Sequence, residues 1–160
     1  MYKIHYHKTN VILHSILGVL FYLFPLLLLI IKAKAEIYLL IFVIFLMLIS
    51  GYFYFRVFKA FYHLVIKKAM IEITEREYID NLNGIILKWD DVESLTMRSS
   101  FIEFYLKADN SFYKNLKNPI KRWFYRIDSR GKNTFHTNIR FAEGKNDDIY
   151  KKINMQFKKM

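Results

Sequence analysis

Two charge-free apolar runs near the N-terminus decide the fold: residues 11–31, VILHSILGVLFYLFPLLLLII, and residues 37–55, IYLLIFVIFLMLISGYFYF. At a rise of about 1.5 Å per residue, a helix over either run is roughly 30 Å long, which matches the hydrocarbon core of a bilayer. Both runs are therefore predicted to be transmembrane helices. Only residues 32–36, KAKAE, separate them, so we expect an antiparallel membrane helical hairpin with a short loop.

The remaining boundaries follow from these two runs. Residues 1–10 are expected to form a cytoplasmic tail. The second span is expected to cover residues 37–58 and to continue as an interfacial helix to about Lys67, because aromatic residues crowd this stretch and such residues collect at the headgroup level. Residues 69–160 are charged and strand-rich, and they are just long enough to close one small core. We expect one domain there.

Positive charge flanks the two ends of the predicted hairpin more than its loop. Lys3 and Lys8 precede the first apolar run, and four cations follow the second run, which ends at residue 55: Arg56, Lys59, Lys67 and Lys68. The loop carries only Lys32 and Lys34. The positive-inside rule therefore predicts a multi-pass protein of the cell inner membrane with both termini cytoplasmic. A cleaved signal ending at Ala33–Ala35 is the alternative, but a run of about 21 residues is longer than the about 7 to 15 of a signal core.

Composition narrows the chemistry that the chain can support. Cysteine is absent, so disulfides, thiolate metal sites and a thiol nucleophile are excluded. His5 and His7 are too few to hold a metal ion, and the sequence has neither a glycine-rich phosphate loop nor a nucleophile turn. We therefore expect no enzyme, no cofactor and no metal site.

The net charge of +11 points to an acidic partner. A basic domain tethered to a bilayer most simply faces anionic lipid headgroups. Nucleic acid is the other acidic partner, but the sequence contains no DNA- or RNA-binding module motif. Nucleic acid is therefore not expected as a partner.

Beyond Lys68 the apolar period changes from helical to two. The clearest alternation is at residues 101–107, and Asn83-Gly84 supplies the torsions of a tight hairpin. A terminal helix is expected after Gly144, with Asn146 or Asp147 as N-cap and an apolar stripe at Ile149, Ile153 and Phe157. The predicted fold class is a membrane α-helical hairpin followed by an α+β domain, a curled antiparallel sheet or barrel capped by a C-terminal helix.

Residues 78–95, YIDNLNGIILKWDDVESL, carry a resemblance to a known family. The stretch is similar to the pattern of bacterial pleckstrin-homology-like (PH-like) domains, in which a glycine turn leads to a Trp-Asp-aliphatic step. The matching positions are Gly84, Trp89, Asp91, Val92 and Leu95. With the preceding hairpin, the chain resembles small bacterial membrane proteins of two helices and a C-terminal PH-like domain, mostly of unknown function. The resemblance implies the fold and no particular activity.

The best candidate for a functional surface is the basic and aromatic segment 113–132. Its predicted membrane-surface residues are Lys117, Lys121, Arg122, Trp123, Phe124, Arg126 and Arg130. In one interpretation the cations meet lipid phosphates while the aromatic rings insert at the interface. In the other, the segment is a solvated loop or short helix whose aromatic residues close the barrel.

These features favour a non-enzymatic membrane protein whose PH-like domain mediates protein or lipid interaction at the membrane surface, with a homo-oligomer or a protein partner left open. A small membrane immunity or stress-protection protein is the alternative, since small size, two spans and the lack of a catalytic set permit it. A transporter or channel subunit is disfavoured because the spans lack a charged or broken-helix site.

Overall fold

The computed structural model describes residues 1–31, 37–108, 112, 116, 122–123 and 133–159. In chain order the elements are β1 (Tyr2–Ile4), α1 (Lys8–Ile31), α2 (Ile37–Val65), β2 (Ile71–Ile73), β3 (Glu77–Asp80), β4 (Ile85–Lys88), a 3₁₀ turn (Trp89–Asp91), β5 (Val92–Arg98), β6 (Phe101–Leu106), β7 (Thr134–Asn138) and α3 (Asn146–Phe157). The fold is α+β, with two antiparallel sheets and a C-terminal helix, which confirms this part of the predicted fold class.

The two long helices pack side by side in opposite directions. Gly18 of α1 lies against Tyr54 of α2 so closely that a Cβ at position 18 would be 2.8 Å from the Tyr54 Cδ1 atom. The ring of Phe21 stacks on the same tyrosine, with centroids 6.5 Å apart. Gly18 is therefore a point of close approach between the two helices.

One helix in the described part of the chain is long and apolar enough to cross a membrane, namely the stretch Lys8–Pro25 within α1. This finding does not extend to the second predicted span, residues 37–58, which stays a prediction. The predicted loop at residues 32–36 lies outside the described residues. The helical continuation beyond residue 58 is present, since α2 ends at Val65.

The first sheet has the strand order β1-β2-β3-β4 and corrects the prediction for the N-terminus. Residues 1–10 are not a simple tail, because β1 pairs antiparallel with β2, placing Tyr2 opposite Ile73 and Ile4 opposite Ile71. Tyr6 forms a further bridge to Ala142. The physical reason is burial, since Ile4 is 4% and Tyr6 is 2% exposed. The β domain therefore begins before α1, not at residue 69.

The second sheet has the order β5-β6-β7. Inward-facing residues of β6 alternate as predicted, with Ile102, Phe104 and Leu106 all buried. The turn between β5 and β6 consists of Ser99 and Ser100, since Arg98 pairs with Phe101. Ser99 has a φ of 56°, so a non-glycine residue occupies left-handed backbone there.

Helix α3 covers the core with the predicted stripe. Ile149 and Ile153 are buried, and Phe157 approaches the ring of Trp89 with centroids 6.3 Å apart. The N-cap position is Lys145 rather than Asn146 or Asp147, and no side chain caps the helix there. Asn146 instead donates from Nδ2 to the Ser99 carbonyl, 3.2 Å away, which ties α3 to the β5–β6 turn.

The residues that carry the family resemblance are structural. Trp89 is 2% exposed, and its Nε1 donates to the Thr74 carbonyl at 3.0 Å. Val92 and Leu95 are buried as well. Gly84 has a φ of 63°, as its turn requires. The turn is longer than the predicted two-residue hairpin, because Asp80 pairs with Ile85 and four residues connect them.

Candidate functional site at the helix–sheet junction

The domain-side ends of α1 and α2 are embedded in the β domain. Val11 of α1 and Val57 and Ala60 of α2 are fully buried, and all three belong to the same apolar core as the strands. The helices and the sheets are therefore one packed body at this point. Polar groups lie among these apolar contacts: Tyr6, His63, Asp80 and Thr137 are buried, and Lys59 is half-buried. We call these five residues the junction cluster.

Tyr6 and His63 connect the N-terminal strand region to the end of α2. The Tyr6 hydroxyl lies 2.8 Å from Nδ1 of His63, and both side chains are buried. Their rings meet edge to face, with centroids 5.9 Å apart. Burial, reinforced by the negative charge of Asp80, raises the pKa of the Tyr6 hydroxyl well above its usual value. The hydroxyl therefore keeps its proton near pH 7.

Several charges act on His63 from different elements. Burial lowers the pKa of His63, the cations Lys59 and Lys68 lower it further, and Asp80 acts in the opposite direction. Desolvation disfavours the imidazolium ion because a buried charge loses its hydration. His63 is thus held neutral in the folded protein near pH 7.

Asp80 is a fully buried carboxylate at the end of β3. Its Oδ1 accepts the backbone N–H of Asn83 at 2.9 Å, and its Oδ2 accepts Nδ2 of Asn83 at 2.6 Å. The Thr137 hydroxyl of β7 donates to the same Oδ2 at 2.7 Å, and the Tyr78 hydroxyl donates to Thr137 Oγ1 at 3.2 Å. Asp80 therefore links the first sheet, the β3–β4 turn and the second sheet.

Lys59 attaches α2 to the same turn. Its Nζ donates to the Leu82 carbonyl at 2.6 Å, one residue before the Asn83 held by Asp80. A Schellman-type C-terminus then ends α2, since Lys68 N–H donates to the His63 carbonyl and Lys67 N–H to the Leu64 carbonyl. Lys67 has the left-handed φ of 55° that this motif needs. Chemically, the junction cluster orients α2 relative to both sheets.

The predicted surface segment is represented by two of its seven candidate residues. Trp123 is 60% exposed, as an inserting side chain would be. Arg122 is half-buried, and its Nη2 donates to the Leu116 carbonyl at 2.7 Å. The other five candidates lie outside the described residues: Lys117, Lys121, Phe124, Arg126 and Arg130.

The aromatic content near this segment contributes to the core as well. Phe112 is buried and contacts Phe135 of β7, with ring centroids 5.2 Å apart. Leu116 is buried too. Within the described residues no group of three or more His, Cys, Asp or Glu side chains could hold a metal ion.

Sequence reasoning missed the junction cluster. Tyr6 and His63 are 57 residues apart, as are Asp80 and Thr137, and no local pattern predicts either pair. One local signal was available, since an aspartate three residues before Asn83 is typical of an Asx-type turn. It identifies the Asp80–Asn83 bonds but neither His63 nor Thr137.

No family model, no curated protein and no solved structure matches the chain.

Proposed function

We propose that this chain is a non-enzymatic, multi-pass protein of the bacterial inner membrane, in which α1 and α2 span the bilayer and a PH-like domain mediates protein or lipid interaction at its surface. The observation that carries the proposal is the pairing of β1 with β2. One strand precedes the helix pair and the other follows it, so both outer helix ends lie at the same sheet.

This pairing constrains any membrane topology. Because β1 and β2 are hydrogen-bonded neighbours, a crossing by α1 requires α2 to return the chain to the starting side. The 29 residues of α2 make a helix of about 44 Å, longer than the roughly 30 Å hydrocarbon core. The excess is at its domain end, where Val57, Ala60 and His63 are buried in the protein. The domain would sit directly on the membrane.

The surface of the helix pair supports insertion. Large apolar side chains of both helices are exposed along their length, among them Leu20, Phe24, Ile41 and Phe45 at 56%, 65%, 59% and 57%. A contiguous apolar surface of this extent is unusual on a protein in water and is typical of membrane contact. The cation bias predicts that the domain and both termini are cytoplasmic.

The domain plan supports the PH-like proposal. Antiparallel sheets are finished by one C-terminal amphipathic helix, and the positions Gly84, Trp89, Val92 and Leu95 serve as turn and core residues of that plan. The surface candidate of the domain is segment 113–132. Its exposed Trp123 supports contact with the interface, where tryptophan is enriched.

Topology is tested by cysteine accessibility, for which the natural chain is a cysteine-free background. Lys34→Cys and Glu143→Cys are introduced separately into the full chain in cells. We expect a membrane-impermeant maleimide to label position 34 from outside and position 143 only after permeabilisation. Labelling of both positions from the same side would overturn the two-span topology.

Lipid contact by the domain is tested in the full chain, because a fragment starting at residue 69 would lack β1. In nanodiscs with brominated phosphatidylglycerol, quenching should reach the exposed Trp123 but not the buried Trp89. Lys121→Glu, Arg122→Glu and Arg126→Glu together should reduce this quenching. The matched control reverses the charge of three other lysines by replacement with glutamate. These are Lys145, Lys151 and Lys158, which are exposed on or beside α3. Unchanged quenching in the first variant would rule out lipid contact and leave protein interaction.

A further inference from the structure

An apolar groove runs along the helix pair on the half nearer the sheets. Its apolar lining comes from Ile12, Ile16, Val19 and Leu20 of α1 and from Phe58 and Phe61 of α2. Its volume of about 350 Å³ is at the lower end of the range for small-molecule pockets. It therefore has room for part of a ligand of hydrocarbon character.

The groove offers an incoming molecule no polar partner from its own lining. Ser15 is the one hydroxyl-bearing residue in that lining, and it is buried with its Oγ donating to the Val11 carbonyl at 2.8 Å. Every other lining residue is aliphatic or phenylalanine. The ligand that fits such a surface is an alkyl chain.

Positive charge at the domain-side ends of the two helices favours an alkyl chain that carries an anionic headgroup. Lys8 begins α1 one helical turn before Ile12, on the same face, and is exposed. The first turn of α1 contains no acidic residue. Lys67 and Lys68, both exposed, follow the domain end of α2. A phosphate at this level would meet cations, as anionic headgroups do.

The groove is poorly suited to bind a helix of a second protomer. Helices in lipid associate through small residues that permit close backbone approach. The small residues here, Ser15 and Gly18, are buried, and Gly18 is already used against Tyr54. The groove rim is bulky and exposed, with Ile16 at 54% and Leu20 at 56%.

We infer that this groove holds one acyl chain of an anionic bilayer phospholipid, with the lipid phosphate at Lys8. The inference rests on the proposed function, because the groove faces lipid only if the helix pair is inserted. It names the ligand class of a site separate from segment 113–132.

The test is native mass spectrometry of the full chain purified in detergent and titrated with phosphatidylglycerol or phosphatidylcholine. Val19→Trp fills the groove and should abolish the tightly retained lipid. Leu17→Trp is the matched control, since Leu17 is exposed on another face of α1. Lys8→Glu should weaken phosphatidylglycerol retention about fivefold or more and leave phosphatidylcholine unchanged, whereas Lys151→Glu should change neither.

Five results would overturn the inference. Equal lipid retention by all variants means ordinary annular contact. Loss of a dimer with Val19→Trp means that a second copy occupies the groove. No preference for phosphatidylglycerol, or no effect of Lys8→Glu, removes the headgroup contact. A chain that stays soluble without detergent contradicts membrane insertion itself, so failure of the proposed function is distinguished from failure of the groove alone.

Discussion

The hydroxyl of Tyr6 lies 2.8 Å from Nδ1 of His63, so a residue ahead of the first helix is hydrogen-bonded to one at the end of the second. The contact closes the junction between the helix pair and the sheets. Through the Coulombic effect of Asp80 on both groups, it is coupled to the network that joins the two sheets.

Tyr6→Phe should lower the free energy of unfolding by about 1–2 kcal/mol, because the buried His63 nitrogen loses its partner. Chemical denaturation of the full chain in detergent measures the change. Tyr62→Phe is the control, since Tyr62 is 61% exposed and should contribute little. Equal effects of the two substitutions would contradict a specific role for the Tyr6–His63 bond.

Acidification should destabilise the protein through His63. The folded state lowers the pKa of His63 below its ordinary value of 6.5, so the unfolded chain binds more protons in the window beneath that value. The contribution of His63 is therefore complete above pH 6.5 and is lost as the pH falls. Melting temperatures measured from pH 8 to pH 5 should fall less steeply in His63→Gln. If the melting temperature of His63→Gln fell with pH as steeply as that of the natural chain, groups other than His63 would cause the acid sensitivity.

Asp80→Asn should lower the free energy of unfolding by about 2–4 kcal/mol, because three donors lose a charged acceptor in a buried site. Asp90→Asn, at an exposed position, is the control and should be nearly neutral. In a double-mutant cycle, Asp80→Asn and Thr137→Val should be less than additive, since they share one hydrogen bond. Full additivity would show that this bond contributes nothing.

Gly18→Leu should weaken the packing of α1 on α2. Even its Cβ would be 2.8 Å from the Tyr54 ring, so the ring or the helix must move. Overpacking of this kind costs about 1–3 kcal/mol. Thermal melting in detergent should report the loss, while Val19→Leu, at an exposed position, should leave the melting temperature nearly unchanged. A stable Gly18→Leu variant would argue against the close approach.

Ser99→Gly should stabilise the protein by about 1 kcal/mol, because glycine removes the Cβ strain of a left-handed backbone. Ser100→Gly is the matched control in the same turn, since Ser100 does not have a positive φ. It should be neutral or destabilising by about 0.5 kcal/mol through the entropy of the unfolded chain. Urea denaturation measures both changes in stability. If Ser100→Gly stabilised the protein more than Ser99→Gly, the left-handed conformation at Ser99 would be contradicted.

Features set by local patterns were predictable from the sequence. The long apolar helices, the alternation along β6 and the stripe of α3 each follow from residue type and spacing, because burying a face requires apolar residues at its period. The continuation of α2 beyond residue 58 was predicted from the aromatic residues that crowd that stretch. The lipid-binding hypothesis for segment 113–132 stays a prediction.

The N-terminal strand and the junction cluster depend on the folded chain. Residues 2–4 are too short to signal a strand, and they become one because β2 offers an unpaired edge and the core has room for Ile4 and Tyr6. In the sequence, Asp80 has the pattern of an ordinary charged turn residue. Its role becomes evident only in the folded chain, where Thr137 of β7 donates a hydrogen bond to it. Hydrogen bonds between residues 57 apart arise from how the elements pack, and residue order along the chain contains no period that specifies them.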